Sequence, residues 1–454
     1  MTPTTATTAP NERLVRRVAL ASGIGSMLEF YDFYLYGALS ATIFGTLFFH
    51  SEDPAVGTLL ALATFGVGFV ARPIGGIIAG HFGDKVGRKS VLIATLALMG
   101  ISTVGIGLLP TYETIGTAAP ILLVTLRVLQ GLAHGGEWGG ASIMTIEHAP
   151  EGRRGFYGAC PQMGIYAGLV LASLVLGGFM LLPEDQFNSW GWRIPFILGA
   201  VLMLVGLWLR RAITESPEFA AAVAARAIEP EQEKKRIPLV EAFRTGGRGI
   251  FVTFAAKAAE TCTFYLITVF ALTLAKSGAG QSTARTGILV AAAVAIVTIG
   301  VFGVLADRIG TRNVYMAGAG FMVLFAFPFF WLAGSSSPWM LLLALIIGLA
   351  VGHSLMYAAQ ASYFSALFDT TVRFTGASLG YQLGAAIVGG FTPLIAASLL
   401  LRSDGATWPI ALYISGVCVL SLLVMAIWGK VRASEPVVVP NSPAAPNSPA
   451  EVQK

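Results

Sequence analysis

The chain has 454 residues, of which 55% are hydrophobic and only 12% are charged, and its mean hydropathy is +0.73. Soluble domains carry about 25% charged residues, so the composition excludes an ordinary soluble globular protein. Apolar stretches of about 20 residues cross a bilayer as helices, and the apolar excess predicts several such spans. The net charge of +5 follows the loops and is not gathered on one soluble module, which excludes nucleic acid as a partner.

The N-terminal end reads as a short cytoplasmic tail at 1–17, followed by a first span at 18–48. Arg13, Arg16 and Arg17 precede this apolar stretch, as basic residues precede the core of a signal peptide. A signal core has about 7–15 apolar residues, whereas this stretch is much longer and contains Glu29 and Asp32. We therefore predict a retained first transmembrane helix.

Breaks between the later apolar runs predict twelve spans in two groups of six. Residues 18–213 form the predicted N-terminal six-helix bundle, and residues 249–430 form the C-terminal one. Between them, 214–248 is a predicted cytoplasmic loop that contains a charged run. Residues 431–454 are rich in Pro and Ser and are predicted to be a disordered cytoplasmic tail.

The charges of the loops predict the orientation. Most of the 29 Lys and Arg residues fall in loops on one side, whereas the other side carries acidic pairs such as Glu52-Asp53. Short loops rich in Lys and Arg stay in the cytoplasm. The protein is thus predicted to be a multi-pass protein of the inner membrane, surrounded by the lipid bilayer, with both termini cytoplasmic.

The two halves repeat a short motif. Gly80-His-Phe-Gly-Asp-Lys-Val-Gly87 matches Gly303-Val-Leu-Ala-Asp-Arg-Ile-Gly310, and each copy follows the second predicted span of its half. Internal repeats of this kind are typical of transporters built from two related halves, with a binding site near the middle of the membrane. The repeat therefore predicts an all-α membrane protein with two pseudo-symmetric halves.

Several motifs resemble one known family over nearly the whole chain. Gly83-Asp-Lys-Val-Gly-Arg-Lys89 resembles the loop signature of major facilitator transporters. Met27 to Gly37, Phe69 to Gly76 and Arg127 to Gly131 are similar to segments of the metabolite:proton symporter family. The resemblance implies the major facilitator fold with twelve transmembrane helices. Members of that family carry shikimate, α-ketoglutarate, citrate, or proline and betaine.

The function that this resemblance implies is proton-coupled symport. The expected substrate is a small carboxylate-bearing metabolite such as shikimate or a di- or tricarboxylate, imported by alternating access through a monomer. A compatible-solute symporter for proline or betaine is the alternative, although the tail lacks the heptads of that branch. A membrane sensor without transport, or a membrane enzyme, would need a signalling domain or a nucleophile–base group, and neither pattern occurs. We expect no cofactor and no metal, because no nucleotide or metal-ligand motif is present.

Titratable side chains inside spans are candidates for proton coupling, because each costs about 3 kcal/mol to insert. Glu29 and Asp32 share a face of the first span near its middle, and His134 and Glu137 share a broad face of the fourth. These four are the predicted proton-coupling residues. The alternatives are a static pair of Glu29 or Asp32 with Arg72, and a hydrogen-bonded core histidine at His134.

The predicted substrate site draws on polar stripes in the seventh and tenth spans. In the family, helices one, four, seven and ten line the central cavity. The candidates are Lys257, Glu260, Tyr265, His353, Tyr357, Gln360 and Arg72. Lys257 is the expected partner of a carboxylate, because Arg72 is expected to be neutralised by the acids of the first span. The alternative is a permanent helix pair between Lys257 and Glu260.

Charged residues of the repeated loops are candidates for a gate. The resemblance implies that the motif aspartate pairs with neighbouring helix ends and holds one conformation closed. The predicted gating residues are Asp84, Arg88, Asp307, Arg312, Arg154 and Arg373. Thr311 stands in the second copy where the first has Arg88, so the second latch is predicted to be weaker. A solvated run of loop charges is the alternative.

Overall fold

The structure is a computed structural model that describes residues 12–50, 53–227, 238–270 and 280–430. In these ranges the regular elements are helices, and no strand occurs. The predicted disordered tail at 431–454 and residues 1–11 of the predicted N-terminal tail lie outside the described residues.

Six long helices form the first half. They are α1 Glu12–Ser40, α2 Pro54–Val86, α3 Arg88–Leu108, α4 Ala118–His148, α5 Arg154–Phe179 and α6 Arg193–Arg211. A short helix, Pro217–Ala227, follows them and is called the linker helix below.

Six more form the second half. They are α7 Pro238–Tyr265, α8 Gln281–Ile309, α9 Thr311–Ala333, α10 Pro338–Ile346 with Ser354–Ser365, α11 Arg373–Gly384 with Gly390–Arg402, and α12 Trp408–Trp428. A π-helical segment, Ile347–His353, joins the parts of α10, and Ala385–Gly389 joins those of α11. Such bulges in long helices are frequent at functional sites.

The outer surface of the bundle is apolar. Eleven described helices are long and apolar enough to cross a membrane, and α1 is the exception because its middle carries Glu29 and Asp32. Large apolar side chains are widely exposed on the surface, for example Leu324 at 78% and Trp331 at 75%. A soluble monomer does not expose so continuous an apolar surface. The chain is a multi-pass membrane protein.

Glycines set the spacing of helices within the first half. A Cβ atom at Gly135 of α4 would collide with the carbonyl of Arg72 on α2, and one at Gly168 of α5 would collide with the carbonyl of Met27 on α1. Small residues let helix backbones approach closely in lipid, where apolar side chains gain little by leaving the bilayer. The close approach brings α2 against α4 and α1 against α5.

Three boundaries differ from the sequence prediction. The predicted first span, 18–48, stops at Ser40, where the Thr42 hydroxyl donates to the Ala38 carbonyl at 3.0 Å and competes with the next backbone bond. The predicted loop at 214–248 contains the linker helix, and α7 already begins at Pro238. Proline fixes a helical φ and favours the first turn of a helix, which explains both new starts. Residues 228–237 of that loop lie outside the described residues.

Candidate substrate site and latch

A cavity lies between the two halves, with an empty volume of about 580 Å³, open solvent included. Helices α1, α2 and α5 line it from the first half, and α7, α10 and α11 from the second. Its charged lining residues are Glu29, Arg72, Lys257 and Glu260, and most of the others are aromatic. Small-molecule sites in proteins are concave and mostly apolar, with a few polar groups that fix the ligand, and the lining of this cavity has that character.

The cation of the first half faces this cavity unpaired. Among the described residues no carboxylate lies within 4.0 Å of Arg72, and its Nε atom is buried without a hydrogen-bond partner. Its guanidinium lies 5.0 Å from the ring centroid of Phe33 and 4.6 Å from that of Phe69. The aromatic rings hold the side chain by cation–π attraction, which leaves its donors available to an anion.

The cation of the second half is paired. The Lys257 ammonium contacts Glu260 and lies 4.1 Å from the ring centroid of Tyr381. The other Glu260 oxygen lies 2.8 Å from His353 Nε2, and His353 Nδ1 lies 2.9 Å from the Tyr166 hydroxyl. One chain of hydrogen bonds thus runs from the cavity wall into α5, through Lys257, Glu260, His353 and Tyr166.

The three predicted substrate residues of α10 take different places. Tyr357 lines the cavity, as does Tyr265 of α7. His353 stands behind Glu260, and Gln360 is fully buried with no hydrogen-bond partner among the described residues. Gln360 therefore does not reach the cavity in this conformation.

The acids of α1 do not pair with Arg72, contrary to the sequence expectation. Asp32 Oδ2 lies 3.5 Å from Arg127, and Asp32 Oδ1 accepts from Gln130 at 2.7 Å. Arg127 also lies 4.2 Å from the ring centroid of Tyr36. The physical reason is position, because α4 packs directly against α1 and presents Arg127 at the depth of Asp32, whereas Arg72 is turned toward the cavity.

His134 lies between Glu29 and Asp32. Its Nδ1 atom lies 3.2 Å from Glu29 Oε1, and its Nε2 atom lies 3.8 Å from Asp32 Oδ2, both without the alignment of a hydrogen bond. Glu29 lines the cavity, and His134 lies fully buried behind it. A proton that reaches Glu29 from the cavity can thus be shared with an imidazole between two carboxylates.

Glu137 stands apart from this group. It is fully buried and contacts Arg210 of α6, with one of the bonds at 3.0 Å, and the Thr95 hydroxyl donates to it at 3.1 Å. Arg210 also donates to the Leu92 carbonyl at 2.5 Å. The carboxylate is therefore satisfied within the first half, and α4 contributes no side chain to the cavity wall.

At one end of the bundle, each of the two motif aspartates accepts hydrogen bonds from the opposite half. This end, which carries Asp84 and Asp307, is called the latch end below. Asp84 accepts bonds from the Thr375 backbone N–H at 2.9 Å and from the Thr375 hydroxyl at 2.8 Å, at the first turn of α11. Asp307 likewise accepts from the N–H groups of Gly155 at 2.5 Å and Phe156 at 3.0 Å, at the start of α5. A helix N-terminus carries partial positive charge and free N–H donors, so both carboxylates are well placed.

Arginines extend the latch. Arg88 contacts Glu147 and donates to the Thr370 carbonyl at 3.0 Å, and Arg373 donates to Glu147 and to Glu218 at 2.6 Å each. Arg154 donates to Glu218 at 2.5 Å. Arg312 takes no part, because it donates to the Met425 carbonyl at 2.8 Å and so stays within the second half.

Glu147 and Glu218 are latch residues that the sequence did not predict. Burial by itself raises the pKa of Glu218 on the linker helix, but the Arg373 and Arg154 guanidiniums outweigh burial, so its pKa lies below the ordinary value. The repeated Glu-Ser-Pro and Ser-Glu-Pro segments after the two halves were the available signal, since Glu218 follows the first of them. Among the described residues no group of three or more His, Cys, Asp or Glu is placed to hold a metal ion.

Two six-helix halves, a central cavity between them and a latch at one end define a carrier of the alternating-access class. A model of the Major Facilitator Superfamily matches residues 22–387. The chain belongs to this superfamily and is a membrane transporter, not an enzyme.

Curated relatives cover almost the whole chain. It is 42% identical to the shikimate transporter of Escherichia coli K12 over 413 residues, 90% of this chain and 93% of the relative. It is 39% identical to the inner membrane metabolite transport protein YhjE of the same organism, over 92% of this chain and 94% of that one. A putative proline/betaine transporter of Staphylococcus aureus is 35% identical, over 90% of this chain and 87% of the relative.

The fold has solved counterparts. The proton:xylose symporter XylE superposes with a TM-score of 0.75 at 17% identity, covering 92% of this chain and 97% of XylE. The prediction of a major facilitator fold with two six-helix halves is confirmed.

Proposed function

We propose that this protein is a proton-coupled symporter that imports a small carboxylate-bearing metabolite, such as shikimate or a di- or tricarboxylate. It lies in the inner membrane as a monomer, and the latch end with both termini faces the cytoplasm. The observation that carries the proposal is the unpaired cation of Arg72 on the cavity wall. Arg72 is partly buried, and its Nε atom is fully buried without a partner, so the side chain lacks a counterion in a site that water only partly reaches. An anionic substrate supplies the missing charge.

Arg72 is the first anchor of the carboxylate and Lys257 the second. The sequence alone favoured Lys257, but that ammonium already has Glu260 as its partner. An arginine can hold a carboxylate through two parallel N–H bonds, which adds geometric specificity to the charge. Lys257 reaches the substrate when Glu260 turns toward His353, which already lies 2.8 Å away.

The position of the two cations links binding to movement. Arg72 belongs to the first half and Lys257 to the second, and both line the same cavity. A substrate held by both groups draws the halves together on the side away from the latch. A ligand shifts a conformational equilibrium only by its difference in affinity between the states, and this two-sided contact provides such a difference.

Proton coupling is assigned to Glu29, His134 and Asp32. Glu29 reaches the cavity, and His134 lies within 3.8 Å of both carboxylates. Protonation of this group removes negative charge beside the cavity that receives the anion. The proton and the anionic substrate therefore favour each other's binding, which is the requirement for symport.

A compatible solute is the second candidate. The cavity wall includes Phe30, Phe264, Tyr357 and Tyr381 together with Glu29. Aromatic rings with a nearby carboxylate recognise quaternary ammonium groups such as that of betaine. The unpaired Arg72 favours the carboxylate metabolite over a zwitterion, since a zwitterion would bring a third cation into a cavity that already has Arg72 and Lys257.

Uptake by proteoliposomes tests the proposal. The parent protein is offered labelled shikimate, citrate, α-ketoglutarate and betaine, with and without an inward proton gradient. We expect gradient-dependent accumulation of a carboxylate. Arg72→Gln should raise the apparent dissociation constant of that carboxylate about tenfold or more, which equals about 1.4 kcal/mol. Arg312→Gln is the matched control, because Arg312 lies outside the cavity and should leave this constant unchanged. Accumulation of betaine without any carboxylate, or an Arg72→Gln protein that binds as the parent does, would exclude the assignment.

A further inference from the structure

The floor of the cavity is aromatic and joins the two halves. Trp138 of α4 stacks on Tyr381 of α11 with ring centroids 3.7 Å apart, and Tyr166 of α5 meets Tyr357 of α10 at 5.9 Å. Three of these four side chains line the cavity. The substrate must pass this floor to reach the latch end.

Four polar side chains lie beyond this floor, on its latch side. They are Ser142, Gln162, Gln360 and Ser378, and we call them the inner polar layer. All four are fully buried, and their side-chain oxygen and nitrogen atoms have no hydrogen-bond partner among the described residues. Two belong to each half.

Contacts between α5 and α10 fix the depth of the two glutamines. The helices meet at the cavity, where the Tyr166 hydroxyl lies 2.9 Å from His353. They meet again at the latch end, where the Ser362 hydroxyl donates to the Arg154 carbonyl at 2.6 Å. Gln162 and Gln360 lie between these two contacts on their respective helices, so both are on the latch side of the contact between Tyr166 and His353.

The serines lie between the cavity floor and the latch on α4 and α11. Gln382 donates to the Gly135 carbonyl at 3.1 Å near the cavity floor. One turn closer to the latch, a Cβ atom at Gly139 would collide with the Ser378 hydroxyl. Ser142 follows Trp138 by one helical turn in the same direction. The four side chains thus lie in one layer between the aromatic floor and the latch.

Unpartnered amides and hydroxyls are poor choices for a static core. Buried polar groups in proteins almost always have hydrogen-bond partners, and apolar side chains of the same size would pack this layer without the desolvation cost. In a carrier, a group that lacks a partner in one conformation can gain one in the other. The layer lies on the route that opens when Asp84 and Asp307 release α11 and α5.

We propose that the inner polar layer is a second substrate site, which forms when the latch opens and receives the hydroxyl and carboxylate groups of the substrate. This inference rests on the proposed function. Its donors are neutral, whereas the central cavity holds Arg72 and Lys257. The layer therefore binds the anion more weakly than the cavity does and passes it on to the cytoplasm.

Transport in both directions tests the site. Gln162→Leu and Gln360→Leu keep the size of the side chain and remove its polar atoms, so both variants should fold at least as stably as the parent. The transport of labelled shikimate is measured in right-side-out and in inside-out membrane vesicles. In both variants we expect the KM for shikimate from the latch side to rise about threefold or more relative to the KM from the opposite side. Without a gradient, detailed balance requires that the ratio of Vmax to KM stays equal in the two directions. Thr145→Val is the matched control, since its hydroxyl already bonds to the Ala141 carbonyl at 2.6 Å. An unchanged KM on both sides, or an equal rise on both sides, would overturn the proposal.

A second measurement needs no substrate and separates this inference from the proposed function. Ser378→Cys is placed in a chain whose native Cys160, Cys262 and Cys418 are replaced by alanine. A charged thiol reagent added to inside-out vesicles should label it, and Asp84→Asn should speed the labelling. Lack of labelling in both backgrounds would overturn the second site. Labelling without any shikimate transport by the parent would instead refute the substrate class and leave the layer on the cytoplasmic route.

Discussion

The bonds from Asp84 to the start of α11 can be measured with a single substitution. Asp84→Asn keeps the shape of the side chain but removes the charge and one acceptor oxygen. The Phe374 and Thr375 N–H groups donate to different oxygens of Asp84, so only one of these bonds can remain, as a neutral one. Hydrogen bonds to charged groups contribute about 1.5–3 kcal/mol and neutral ones about 0.5–1.5 kcal/mol. A carboxylate at a helix N-terminus adds about 0.3–2 kcal/mol. We expect the latched state to lose about 2–3 kcal/mol, because these contributions are not additive.

A loss of this size shifts the equilibrium toward the open latch by about 30- to 150-fold. The carrier then rarely returns to the state that loads substrate from outside, so uptake of labelled shikimate should fall about tenfold or more at normal membrane abundance. Abundance is measured by quantitative immunoblot of the membrane fraction. Near-normal uptake by Asp84→Asn would refute the role of the latch.

Asp307→Asn is the internal comparison. Asp307 makes the equivalent bonds to Gly155 and Phe156, but its side chain is only partly buried, whereas Asp84 is 3% exposed. Water can replace part of the lost interaction at the exposed site, so the effect on uptake should be smaller. An Asp307→Asn variant that is impaired more than Asp84→Asn would contradict this ranking.

Three further predictions concern Glu137, His134 and the linker helix. Glu137→Gln leaves Arg210 buried without an anion, a change that costs about 3–5 kcal/mol, so the thermal unfolding midpoint should fall while the folded protein still accumulates substrate. His134→Gln should abolish uphill accumulation of shikimate but spare its exchange between preloaded proteoliposomes, because the proton has lost its site. The pKa of Glu218 is lower in the folded state than in the unfolded state, where it is about 4.3. The charged Glu218 therefore stabilises docking of the linker helix fully above the unfolded pKa. This stabilisation disappears as the pH falls through the lower folded pKa. Hydrogen exchange of residues 217–227 should therefore be constant between about pH 6 and pH 8 and speed up, beyond the intrinsic pH dependence, only below about pH 4.

Each of these has a contradicting outcome. A Glu137→Gln protein of parental stability that no longer accumulates substrate would make Glu137 a proton carrier and not a structural partner. Uphill accumulation by His134→Gln at parental rates would remove the histidine from the coupling path. Linker-helix exchange that changes between pH 6 and pH 8 would show that a group other than Glu218 controls docking, and Glu218→Gln is the control.

The sequence by itself determined the fold class and the division into two halves. Membrane spans require long apolar runs whatever their neighbours, so composition and loop charges were sufficient to find them. The repeated loop around Asp84 and Asp307 indicated the latch residues, because that motif is local in the chain. It did not indicate Glu147, which lies in no repeated segment. The Glu-Ser-Pro segment before Glu218 marks its position in the chain but not the arginines that reach it.

Only the tertiary structure decided which charges pair. Glu137 and Arg210 are 73 residues apart, and Asp84 meets Thr375 across 291 residues, so no helical periodicity could relate them. Sequence reasoning paired Arg72 with the acids of α1 because all three lie at a similar depth. Depth follows from counting residues along a helix, but the direction of a side chain around its axis follows from packing. Glycine contacts between α2 and α4 set that rotation, which leaves Arg127 for Asp32 and Arg72 for the cavity.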